Sequence, residues 1–280
     1  MSSHRWRRQI LGWTKNVIVG VFVLGTVGVP LALLVVNSFK PGIEADKLSL
    51  ALPREWNAIE NYTKVVTEGH VARGLLNTLL VVLPSIGLTL VLGSLAAWVF
   101  ARSRSKLMTS LYYVSIAALL VPGAVIATIV VLKALGIYGG LVGLIAVYVA
   151  SSLSFAIFLM TGFVKTVPIE LEESARIDGA SSFTVYWRIV LPLLRPVMAT
   201  YFIIQLLGLW NDFFWPLFGL RSSDSATLTL GLYSFASAQG LGTRWELVFA
   251  HVVVVSLPLV LVFAFAQRRI VDGVMAGARK

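Results

Sequence analysis

Few side chains in this sequence could do covalent or metal chemistry, and their spacing argues against both. The histidines are His4, His70 and His251, in three separate segments, and no pair stands at the spacing that puts two imidazoles on one helix face. Cysteine is absent, which removes thiolate nucleophiles, disulfides and Cys-ligated zinc or iron-sulfur centres. The Lys165-Thr166 pair follows Val164 in place of the glycine that a phosphate-binding loop needs. No Gly-x-Ser-x-Gly elbow occurs, and no histidine or acid is placed to activate a serine. A catalytic role, a metal and a cofactor are therefore not expected.

What remains is one concentration of charge, between residues 167 and 181. Glu170, Glu172 and Glu173 crowd the side where the positive end of a helix dipole favours acids, Pro168 suits a first helical position, and Gly179 suits a stop. These features predict a short helix over about 168–179 in which Leu171, Ala175 and Ile177 are interleaved with charges. A second amphipathic turn follows at 183–189, and Pro192 and Pro196 introduce the next apolar run. A helix both polar and apolar, held between membrane spans, reads as a docking element. Elsewhere Asp212 is an acid inside an apolar run, which points to an aqueous path, a partner or the outer interface. Asn77 and Gln205 are lone amides that either line a solute path or bond a neighbouring helix. His251 reads as structural, and Trp210, Trp215 and Trp245 fit an outer aromatic belt.

The elements that must hold these residues are set by the solvent. Of the 280 residues 58% are hydrophobic and 13% charged, about half the charge of a soluble domain, and mean hydropathy is +0.86. The lipid bilayer is that solvent. Six segments are long and apolar enough to span it: 17–36, 74–101, 107–132, about 141–163, about 196–220 and 247–266. The first lacks a small-x-small cleavage site and is expected to stay attached. Connections on the amino-terminal side carry 15 Lys and Arg and those on the other side 8, so both termini are expected in the cytoplasm. The net charge of +10 is then an orientation signal and implies no nucleic acid. The expected organisation is 1–36, amino terminus and first span; 37–73, external loop with a short amphipathic piece at 59–66; 74–267, a five-helix core with the cytoplasmic loop 165–195; and 268–280, a cytoplasmic tail.

The spacing Glu173-Ser174-Ala175, three residues, Gly179, nine residues, Ile189-Val190-Leu191-Pro192 resembles the E-A-A loop of bacterial binding-protein-dependent ABC importer permeases, with Ser174 replacing the first alanine. Leu193-Leu194-Arg195-Pro196, Trp210-Asn211-Asp212-Phe213 and the tail 266–278 are similar to the maltose-type carbohydrate permeases, the MalG-like half in particular. The resemblance implies an all-α, six-span, type I ABC importer permease in the bacterial inner membrane. It implies pairing with a second, MalF-like permease subunit, two ATPase subunits that hydrolyse ATP, and an external solute-binding protein. Glu172, Glu173, Ser174, Ala175, Asp178 and Gly179 would then couple to the ATPases. Asn77, Gln205, Asn211 and Asp212 would face the pathway or the partner permease, and the tip Gln239-Gly240-Leu241-Gly242 would reach the binding protein. The solute expected is a sugar or sugar-like molecule. The competing reading is an independent secondary carrier or channel.

Overall fold

The computed structural model describes residues 13, 15–121, 123–237 and 243–278, with side chains as far as 264 in the last stretch. The chain divides into two compact units, one of Met1–Val71 with Leu232–Leu257 and one of Ala72–Gly231 with Pro258–Lys280. In chain order the helices are α1 (Lys15–Ser38), α2 (Ala58–Glu68), α3 (Val71–Arg102), α4 (Lys106–Leu120), α5 (Val125–Ala134), α6 (Leu141–Val164), α7 (Glu170–Ile177), α8 (Ser182–Trp210), α9 (Phe214–Gly219), α10 (Leu228–Ser237) and α11 (Trp245–Ala278). Among the described residues five helices are long and apolar enough to cross a membrane, namely α1, α3, α6, α8 and the part of α11 up to Ala264.

The third apolar segment does not run as one helix. It is split into α4 and α5 by extended backbone at Val121 and non-helical backbone at Ala124. Val121 precedes Pro122 in sequence, and the pyrrolidine ring disfavours helical backbone at the residue before it. The fifth segment also differs from the sequence reading, for α8 starts at Ser182 and stops at Trp210. The amphipathic turn expected at 183–189 is no separate element but the first turns of α8, where a π-helical turn at Tyr186–Val190 joins the segment after α7 to the span. The Ser181 hydroxyl begins this helix by accepting the Thr184 N–H at 3.3 Å.

In the first unit α1 buries little of its apolar surface until its final turn, where Asn37 and Ser38 are enclosed. The Lys40 ammonium beside them is 1% exposed. It donates to Asn37 Oδ1 at 3.0 Å, Ser49 O at 2.6 Å and Ser49 Oγ at 3.1 Å, so its three protons all find oxygen. Asn61 of α2 donates to the carbonyls of Ser38 and Lys40 at 2.9 Å each. On the outer face of α2, Lys64 bonds Glu60 at 2.6 Å and holds that carboxyl below the usual carboxylate range. His251 is buried against the Phe235 ring.

In the second unit Val81, Leu144, Tyr148 and Leu220 form the core, with Leu141, Ile145, Leu209, Trp215 and Leu230 around them. Apart from Asn77, the polar residues buried along α3 and α6 are small: Thr78, Ser85, Thr89, Ser94, Ser152 and Thr161. Small residues allow the close approach that drives helix association in lipid. The tightest approach is at Gly93 of α3, where an added Cβ would stand 2.6 Å from the Ala156 Cβ of α6. Gly93→Ala is expected to destabilise the fold by about 1–3 kcal/mol, measured as a lower melting temperature of the purified protein. Gly87→Ala, where an added Cβ meets nothing within 4 Å, is the control and should show no loss.

Candidate functional site

The charged loop folds as α7, preceded by Pro168 and closed by Gly179. Pro168 lies ahead of the helix and not in its first position, because Ile169 supplies the first helical acceptor, taking the N–H groups of Glu172 and Glu173 at 2.9 and 3.0 Å. Three acids occupy the first turn and Arg176 the last, so both ends match the dipole. The helix ends where Ala180 N–H reaches Ala175 O at 2.9 Å and Gly179 N–H reaches Arg176 O at 3.0 Å. This pair of bonds requires a left-handed residue, and Gly179 has φ +86°.

The two faces of α7 do different things. Glu173, Ser174, Asp178 and Gly179 are exposed, with Ala175 half-buried between them. The apolar Ile177 beside them is 86% exposed. Glu172 is separated from that group. It is 2% exposed and points into the protein, where Oε2 accepts the Trp98 indole N–H at 2.9 Å and Oε1 accepts Arg102 Nε at 2.8 Å. Arg102 also donates from Nη2 to Val167 O at 2.9 Å. Trp98 and Arg102 escaped sequence reasoning because they lie more than 60 residues away. The one available signal was their spacing of four at the end of an apolar span, which puts them on one helix face.

A second arrangement lies along α6 and α8, where a cleft of about 380 Å³ is lined by both helices and by Asp212 and Trp215 beyond them. From α6 come Tyr148, Ser151, Ser152 and Phe155, at the i, i+3, i+4, i+7 spacing of one helix face, and from α8 come Gln205, Gly208 and Leu209. Gln205 donates to the Tyr201 hydroxyl at 2.9 Å, and Tyr201 donates to Ser152 O at 3.2 Å. Asp212 is not inside a helix, as the apolar run implied. It stands in the break between α8 and α9, where side chains of Asn and Asp compete for backbone groups. Asn211 donates to Leu207 O at 2.8 Å, and Asp212 Oδ1 accepts Phe214 N–H at 3.0 Å. The other oxygen of Asp212 accepts the Tyr148 hydroxyl at 2.7 Å, and its carbonyl accepts Thr229 Oγ1 at the same distance.

Gln205 and Asp212 are thus brought together, and Tyr148, Phe155, Ser151 and Trp215 join them. Asn77 and Asn211 are not among the lining residues. Asn77 instead donates to the carbonyls of Asp224 and Ala226 at 2.8 and 3.0 Å, which fastens the 221–227 loop to α3 alongside an Arg73–Asp224 ion pair. Asn211 is exposed. Gln239, Gly240, Leu241 and Gly242 lie outside the described residues. Among the described residues no group of three or more His, Cys, Asp or Glu could hold a metal ion.

Residues 89–275 match the family model described as "Binding-protein-dependent transport system inner membrane component". The chain is 34% identical over 251 residues to the diacetylchitobiose uptake system permease protein NgcG of Streptomyces coelicolor, covering 89% of this chain and 83% of that one. It is 31% identical over 253 residues to a probable starch degradation products transport system permease protein, AmyC, of Thermoanaerobacterium thermosulfurigenes, covering 90% and 91%. In fold it is similar to a chain of a bacterial ABC transporter that imports the polysaccharide alginate, with TM-score 0.83 at 20% identity over 93% of this chain and 96% of that one.

The Tyr148–Asp212 bond is testable without knowing any solute. Tyr148→Phe removes one hydroxyl and leaves a part-buried carboxylate oxygen without its donor, at an expected cost of about 1–3 kcal/mol. In a thermal-unfolding cycle with Asp212→Asn, the double variant should cost less than the two single losses added together.

Proposed function

The chain belongs to the inner-membrane components of binding-protein-dependent transport systems, and we propose that it forms one half of the pore of an ATP-driven sugar importer, its α7 receiving the stroke of partner ATPases. The observation that carries the proposal is the division of α7 into an exposed face with Glu173 and Ile177 and a face anchored by Glu172. A short helix of this kind suits docking into a partner's cleft. ATP hydrolysis then belongs to two cytoplasmic ATPase subunits, a second permease subunit completes the pathway, and an external binding protein delivers the solute.

Orientation follows from the 15 basic residues of the connections that include α7 against 8 in the others. On that basis both termini are cytoplasmic, and α11 carries the tail 268–280 toward the ATPases as far as Ala278. The external connection that contains 239–242 faces the binding protein. The solute class is supported by two lines. Relatives are named for uptake of diacetylchitobiose, of starch degradation products and of melibiose, raffinose and stachyose. The cleft also offers what a pyranose needs, with aromatic surface on Tyr148, Phe155 and Trp215 beside the polar Ser151, Gln205 and Asp212.

The test is reconstitution of the full assembly with Ile177→Asp and Glu173→Lys. A charge placed where an apolar anchor should be buried is expected to reduce retention of the ATPase subunits and solute uptake by at least about tenfold, as for interface hot spots. If uptake stays fully coupled to ATP hydrolysis with both residues replaced, α7 is not the ATPase contact.

A further inference from the structure

The inner face of α7 carries a role of its own. Ser94, Trp98 and Arg102 stand four residues apart on α3, so they form a single stripe that runs to the last residue of that span. The stripe holds three different elements. Arg102 grips Val167 O in the connection after α6 and shares Glu172 of α7 with Trp98. The Trp98 ring lies 5.6 Å from that of Tyr186 in α8, and the Tyr186 hydroxyl bonds Ser94 Oγ at 2.7 Å. Both oxygens of Glu172 are engaged by different donors, which fixes the direction of α7 where a single bond would leave it free to swivel.

We propose that Trp98, Arg102 and Glu172 are positioning residues that join α7 rigidly to α3, so that a displacement of α7 carries the cytoplasmic end of α3 with it. Peptide bonds already tie α7 to α6 and α8. The joint adds a span that the chain itself does not connect to α7. Its reach extends to the cleft, because Val81 of α3 packs in one core with Tyr148, which bonds Asp212. The same body that receives the stroke therefore includes a wall of the pathway. Displacements of packed elements of this kind are transmitted because the contacts are close-packed and not continuously deformable. This inference rests on the reading of α7 as the ATPase contact.

The sequence has no cysteine, so two engineered ones, labelled in this subunit before it is joined to its partners, give a single pair of spin labels. With labels at Arg104→Cys and Glu170→Cys in the complete assembly, the separation should be the same without nucleotide and with ATP and vanadate trapped. Trp98→Phe removes the indole N–H while keeping an aromatic ring beside Tyr186, and Glu172→Gln keeps the size of the side chain. In Trp98→Phe the ATPase subunits should remain bound and basal hydrolysis should persist. The label separation should then differ between the two states, and stimulation of hydrolysis by the system's own binding protein should fall about tenfold, in the range of charge-assisted hydrogen bonds. Should Glu172→Gln fail to assemble, Trp98→Phe alone carries the test. The joint is overturned if the parent separation changes between states, or if the variant separation stays as fixed as the parent's. Failure of the ATPases to co-purify with the parent protein would instead defeat the functional reading itself.

Discussion

A carboxylate that is 2% exposed cannot stand without partners, and the end of the second unit that carries α7 is arranged around that requirement. Taking Glu172 from water costs several kcal/mol even after relaxation. Only a guanidinium with a second donor beside it offsets such a cost. Arg102 is itself only 17% exposed in its side chain, so it faces the same demand and meets it with Glu172 and Val167 O. Two desolvated ions thus dictate the end of α3, the entry to α7 and, through Trp98 and Tyr186, the start of α8. Replacing such a pair with apolar residues is often neutral for stability. Its presence here is better accounted for by direction and specificity than by net stabilisation.

The same rule explains where helices break. In lipid an open backbone group must find a partner inside the protein, so irregular backbone is accompanied by polar side chains that close it. At the end of α8 the carboxylate and carbonyl of Asp212 collect donors from α6, α9 and α10. The 221–227 loop is closed by Asn77 and by Thr78, which accepts Leu228 N–H at 2.9 Å. In the first unit the turn after α1 is closed by Lys40, Asn37 and Asn61. Each of these is a polar residue beside an apolar run, and each is spent on backbone. A pathway residue must be something more, and only Gln205 and Asp212 of the amides and acid singled out by sequence also line the cleft.

What could be read in advance follows from range. Spans are local and depend on about 20 consecutive apolar residues, so five of the six segments were legible as long helices, while the remaining one, read as a single span over 107–132, is two shorter helices. The stop of α7 at Gly179 was legible because a left-handed residue is a property of one position. The burial of Glu172 was not. On a helix with acids at 170, 172 and 173, nothing local tells which one turns inward, since that depends on Arg102 and Trp98 in another span. Tyr148 and Trp215 were missed for the same reason. An aromatic residue in an apolar run looks like core or interfacial belt until a second helix is laid against it.

The distribution of ion pairs sharpens the argument from charge. On the proposed orientation, the external side holds Lys64–Glu60, Arg73–Asp224 and Arg244–Glu246, which pair three of its eight bases with acids. Among the described residues on the cytoplasmic side, Arg102 forms an ion pair at 2.8 Å, and its partner is the buried acid of α7. The exposed acids of α7 and its end, Glu170, Glu173 and Asp178, share that segment with the exposed bases Lys165, Arg176 and Arg188. A partner docking on α7 would therefore meet charges of both signs around Ile177, which is 86% exposed, and it must complement both while covering one apolar side chain.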